Sequence, residues 1–119
     1  MCYCQSSTYP FVQGRTGLFL GVREKEIKNP LSAEYKIAYE ASPIFHVTAD
    51  DPPFLLIHGD KDETVPFVNS EDMYKKLHEL NVPAKIITVE EGGHGPGIIN
   101  SPEVRTEMVK WMEQHLIER

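Results

Sequence analysis

The spacing of apolar positions changes character near residue 54. Beyond it, apolar runs and periodic segments alternate regularly. Phe54–His58, "FLLIH", is a continuous apolar run, the texture of a strand covered on both faces. Residues 67–80 carry Val68, Met73, Leu77 and Leu80 among charges, which predicts a helix with one buried stripe. Asn81-Val82-Pro83 stops it, and Ala84–Val89, "AKIITV", is a second β-rich run. A last helix follows the loop "EEGGHGPG", with Ser101 as N-cap, Pro102 at the first helical position and Glu103 in the first turn. Its apolar face is Val104, Met108, Trp111, Met112, His115 and Leu116. The order strand, helix, strand, helix predicts a βαβα unit, two parallel strands joined by a right-handed crossover.

Residues 1–53 are less regular. Pro10, Pro30, Pro43, Pro52 and Pro53 interrupt them, with Gly14, Gly17 and Gly21. One segment is periodic: in "LSAEYKIAYEA", Leu31, Tyr35 and Ala38 fit one face of a short helix. Ser42-Pro43 marks its end, because a residue before proline is pushed out of the helical region. Gly14–Gly21, "GRTGLFLG", reads equally as a short strand or an irregular apolar loop. The chain therefore divides into an irregular or helical segment, 1–53, and a βαβα unit, 54–119, within one partial domain.

Composition narrows the function classes. At 119 residues, 40% of them hydrophobic and 25% charged, the chain has the mix of one globular domain. The formal charge is −6 with scattered basic residues, so no nucleic-acid partner is expected. The apolar stretches are too short to span a bilayer, so no membrane association is expected. The opening "MCYCQSSTYP" has neither a basic start nor a long apolar segment, so no signal peptide is expected. Cys2 and Cys4 lack the further ligands a zinc site needs and read as reduced thiols, with a cytoplasmic location.

Candidate chemistry sits at the strand ends. In an open parallel sheet, functional groups collect beyond the carboxyl ends of the strands. Asp60 and Asp62 leave the first strand and His94 leaves the second. Neighbouring strands are close enough for such loops to bring a carboxylate to an imidazole. The carboxylate then fixes the tautomer and frees the other ring nitrogen as a general base. "GDKD" reads alternatively as a polar turn. Of the two acids, Asp62 opens "DETVP", and Asp60 lies nearer the strand, where it would brace the turn. His58, Asp60 and Asp62 also form an H-x-D-x-D alternation suited to a hard metal ion. His46, His78 and His115 read as packing or surface residues.

"DDPPFLLIHGDKDETVPFVNSEDMYKKL" followed by "VEEGGHG" resembles the C-terminal part of an α/β-hydrolase. The branch it resembles is the acetyl-esterase, feruloyl-esterase and carboxylesterase-like group related to prolyl oligopeptidases. "EASPIFHVTADDPPFLLIHG" is similar to the segment leading to the acid-bearing strand of that group. The resemblance covers residues 30–119 well and 1–29 loosely. It implies an α/β fold in which this chain is the incomplete C-terminal βαβα part. It also implies that Asp62 is the catalytic acid and His94 the catalytic histidine. That pattern accounts for the acidic residues without a metal, so no metal and no cofactor are expected.

The nucleophile of that group sits in a G-x-S-x-G elbow. Ser6, Ser7, Ser32, Ser42, Ser70 and Ser101 all lack the flanking glycines, and the upstream H-G-G oxyanion segment is absent. The expectation is a fragment of a serine carboxylic-ester hydrolase, a peptidase relative included, whose nucleophile precedes residue 1. Alone it is expected to be inactive, and a small ester is the expected substrate once an N-terminal half completes it. The alternative is a non-catalytic module that pairs through an open sheet edge, as a homo-oligomer or with a complementing fragment.

Overall fold

The computed structural model describes residues 29–116. Cys2, Cys4 and the Gly14–Gly21 segment lie outside the described residues. The chain forms two units, residues 1–46 and residues 47–119.

The described part of the first unit is helix α1, Ala33–Glu40, followed by a 3-10 turn at Pro43–Phe45. Ser32 caps α1 by accepting from the Tyr35 N–H at 3.0 Å. Asn29 holds the preceding turn, its side chain accepting from the Leu31 N–H and its carbonyl from the Ser32 N–H. Leu31 therefore lies ahead of the helix and is 94% exposed, rather than on the helical face with Ala38, which is fully buried. Past the helix, Ser42 is extended at φ −101° and ψ 105°, as the following proline requires. The ring of Phe45 stacks on Tyr39 with centroids 4.5 Å apart.

The second unit is the βαβα arrangement: β1 (Phe54–Gly59), α2 (Val68–Glu79), β2 (Ala84–Val89), a 3-10 turn (Pro96–Ile99) and α3 (Pro102–Leu116). The two strands pair in parallel and in register, Phe54 opposite Ala84 through Gly59 opposite Val89. Side chains alternate between faces along a strand. His58 reaches Ser70 on α2 at 2.6 Å, while Lys85, one residue out of phase in the register, reaches Glu107 on α3 at 2.6 Å. The two helices accordingly cover opposite faces of the sheet.

Both helices are bounded as their sequences dictate. At the end of α2, Asn81 adopts a left-handed conformation, φ 59°. The Val82 N–H bonds the Leu77 carbonyl at 2.9 Å and the Asn81 N–H bonds that of His78 at 3.0 Å. This pair of bonds satisfies carbonyls the helix would otherwise leave open, and the side chains of Val82 and Leu77 are both buried. Burying a leucine side chain contributes about 1.5–3 kcal/mol. At the start of α3, the Ser101 hydroxyl accepts from the Val104 N–H at 3.3 Å, and Pro102 occupies the first turn, where no donor is lost.

The core is thin. Among the described residues of this unit, the buried apolar side chains are Leu77, Val82 and Val104. Phe54–Ile57 stay half-buried rather than covered on both faces, and Met112 and Leu116 are 47% and 71% exposed. A two-stranded sheet is only about 5 Å from strand to strand, whereas a helix is about 10 Å across. It shields part of each helix and leaves the far end of the α3 stripe in water.

Candidate active site

Beyond the paired strands, the two loops are laced by main-chain bonds. The Asp60 N–H donates to the Val89 carbonyl at 3.2 Å and the Lys61 N–H to the Gly92 carbonyl at 2.9 Å. Such closeness needs Gly59, because a Cβ there would lie 2.1 Å from the Gly92 carbonyl oxygen. Two loops that leave different strands are thereby locked together, one carrying Asp62 and the other His94.

The Asp62 carboxylate is then held from several sides. Its Oδ1 accepts from the Thr64 and Val65 N–H groups, both at 2.8 Å, a side-chain turn that Asp is suited to form. Its Oδ2 accepts from Nδ1 of His94 at 2.9 Å. The carboxylate side chain is 6% exposed and the imidazole 54%. Desolvation pushes the Asp62 carboxyl upward. The Val65 N–H, the His94 ring and the Thr64 N–H outweigh it and hold the group lowered to about 2. At neutral pH it is an anion, so the nitrogen facing it, Nδ1, carries the proton. In the neutral ring Nε2 of His94 keeps a lone pair; it accepts no hydrogen bond among the described residues, and the side chain is exposed. Gly95, directly after His94, adopts φ 124° and ψ −173°, a conformation open to glycine alone, ahead of the Pro96–Ile99 turn.

The structure thus brings Asp62 and His94 together and leaves Asp60 apart. The Asp60 side chain is exposed, and its part in the turn is made by its main-chain N–H rather than by its carboxylate. The H-x-D-x-D alternation converges only in part: His58 Nε2 lies 3.3 Å from Asp62 Oδ2, whereas the Asp60 side chain is exposed. Among the described residues, no group of three or more His, Cys, Asp or Glu side chains is placed to hold a metal. His46 bonds the Tyr39 carbonyl at 3.3 Å, His78 lies beside the Tyr74 ring, and His115 stacks on Trp111 at 3.9 Å.

One participant escaped sequence reasoning. His58 is 8% exposed, and its Nε2 sits 2.9 Å from the Val65 carbonyl and 3.3 Å from Asp62 Oδ2. A histidine ending an apolar strand was the available signal, and the metal alternation absorbed it. No helix among the described residues is long and apolar enough to cross a membrane.

Parallel strands with a helix after each, covering opposite faces of the sheet, define the C-terminal part of an α/β-hydrolase, as the resemblance implied. The chain belongs to the prolyl oligopeptidase family, whose model matches residues 12–119. A solved structure described as a "Truncated form of carbohydrate esterase from gut microbiota" superposes with a TM-score of 0.61 at 33% identity, covering 66% of this chain and 27% of that one. The "Probable carboxylic ester hydrolase LipM" of Mycobacterium tuberculosis is 33% identical over 55 residues, 46% of this chain and 13% of that protein. The human "Acylamino-acid-releasing enzyme" is 28% identical over 81 residues, 65% of this chain and 11% of that enzyme. The chain spans 11–14% of the length of the curated relatives it matches.

Proposed function

We propose that the chain supplies the acid, Asp62, and the base, His94, of a Ser–Asp–His hydrolase acting on carboxylic esters, with acylated peptides as the second substrate class. The observation that carries this reading is the 2.9 Å bond from His94 Nδ1 to a buried carboxylate, with Nε2 accepting no hydrogen bond among the described residues. An imidazole held in that tautomer takes a proton from a hydroxyl at Nε2, and the carboxylate stabilises the resulting imidazolium. Relatives named for ester hydrolysis and for releasing acylated amino acids support attack at an acyl carbon.

No G-x-S-x-G elbow occurs in the 119 residues. In this reading the activated hydroxyl and the oxyanion donors come from sequence outside them. Loss of a single oxyanion donor costs about 100-fold or more in rate, so the chain alone is inactive. The test is hydrolysis of p-nitrophenyl acetate by the purified chain. The rate stays at that of free imidazole at the same concentration; turnover well above it refutes the reading.

A second reading, an interaction module, draws on the sheet edge. Among the described residues, β1 and β2 pair only with each other, and Val109, Met112 and Leu116 are exposed on α3. An unpaired edge beside apolar surface favours a second copy or a complementing hydrolase fragment.

A further inference from the structure

His58 is a titratable side chain, buried, that the acid–base pair itself does not require. Its Nε2 faces two acceptors, the Val65 carbonyl at 2.9 Å and Asp62 Oδ2 at 3.3 Å. Among the described residues no donor faces that nitrogen, so Nε2 bears a proton. Its Nδ1 lies 2.6 Å from the Ser70 hydroxyl. In a neutral ring Nδ1 then accepts, and Ser70 donates. The Phe67 ring packs against the imidazole nearly perpendicular, with centroids 5.5 Å apart.

The consequence lies at Asp62. Two main-chain N–H groups fix Oδ1, and they alone would let the carboxylate swing about that oxygen. His58 Nε2 lies in contact with Oδ2 at 3.3 Å, and its N–H pins the Val65 carbonyl, whose own residue donates to Oδ1. With Oδ1 so fixed, Oδ2 accepts from His94 Nδ1 at 2.9 Å.

We propose that His58 is a positioning residue: a buried imidazole, anchored at Nδ1 by Ser70 and carrying a proton on Nε2, that braces the Val65 turn holding Asp62 toward His94. The chemical importance of this bracing rests on the reading of Asp62 and His94 as acid and base. The geometry itself does not, and the test addresses the geometry directly.

Histidine nitrogen NMR on the full chain reads each ring's tautomer through its carbon-bound protons. The expected wild-type result at pH 7 is His58 as the Nε2–H form and His94 as the Nδ1–H form. His58→Phe keeps the packing against Phe67 but removes the donor. His94 then reverts to the Nε2–H form that a free histidine side chain prefers, whereas His58→Gln, whose amide N–H still reaches the Val65 carbonyl, retains much of the Nδ1–H form. An Nδ1–H population of His94 unchanged in a folded His58→Phe chain overturns the proposal. If that variant does not fold, Ser70→Ala decides: partial loss of the Nδ1–H form of His94 supports the proposal and no change overturns it. A wild-type His58 found as the Nδ1–H form also overturns it. None of these readouts depends on ester turnover, so a failure here is distinguishable from a failure of the hydrolase reading.

Discussion

Gly59→Ala tests whether main-chain closeness, rather than the Asp62–His94 attraction, builds the site. The new Cβ would stand 2.1 Å from the Gly92 carbonyl oxygen and 2.9 Å from that of Gly93. Both neighbours are backbone atoms and cannot turn aside as a flexible side chain would. Bringing the closer contact to the van der Waals limit requires the loops to part by about 1 Å. The Lys61 N–H to Gly92 bond starts at 2.9 Å and the His94 to Asp62 bond at 2.9 Å. A displacement of about 1 Å takes both past useful hydrogen-bond length. Overpacking costs about 1–3 kcal/mol and a lost main-chain bond about 1 kcal/mol. Together they predict a destabilisation of about 2–4 kcal/mol, or a fall in Tm of about 10 °C or more for a unit this small. Thermal unfolding by circular dichroism measures the first effect, and the His94 tautomer by nitrogen NMR the second. A Gly59→Ala chain that melts within about 2 °C of the parent and keeps His94 in the Nδ1–H form refutes the reasoning.

Two further predictions concern ionisation and helix termination. The Asp62 carboxyl is held below its ordinary 3.8, at about 2, so folding favours its charged form. Its contribution to stability is therefore fully present above pH 3.8 and is lost as the pH falls through about 2. Asp62→Asn should remove that part of the acid dependence, and unfolding curves of equal slope for both chains over this window would contradict the assignment. At the end of α2, Asn81 sits at φ 59°. Asn81→Ala should cost about 1 kcal/mol in urea unfolding while Asn81→Gly is neutral or slightly stabilising, and equal stability of the two variants would count against the left-handed cap.

Sequence pattern carried far in the second unit because each element there has a strong local cause. The run from Ala84 to Val89 is the strand its β-rich side chains predict, and Ser101 and Pro102 open α3 as their capping chemistry requires. Leu31 shows the limit of periodicity. Its spacing matches Ala38, but the Asn29 turn takes its main chain out of the helix. Met112 and Leu116 show another: a stripe specifies which face is apolar, not whether enough sheet lies opposite to cover it.

The site divides along the same line. Asp62 and His94 were legible because turn chemistry, strand order and the family pattern all converge on them. Asp60 was separable from Asp62 only weakly, since both follow the same strand within three positions. The polypeptide's local preferences determined two parallel strands, their helices, the caps and the loops that bear an acid and a histidine. Tertiary structure decided which carboxylate faces the imidazole and drew His58 and Ser70 in behind it. It also made Gly59 indispensable. Those outcomes depend on atoms 12 to 33 residues apart meeting within about 3 Å, and no local pattern encodes a distance between loops.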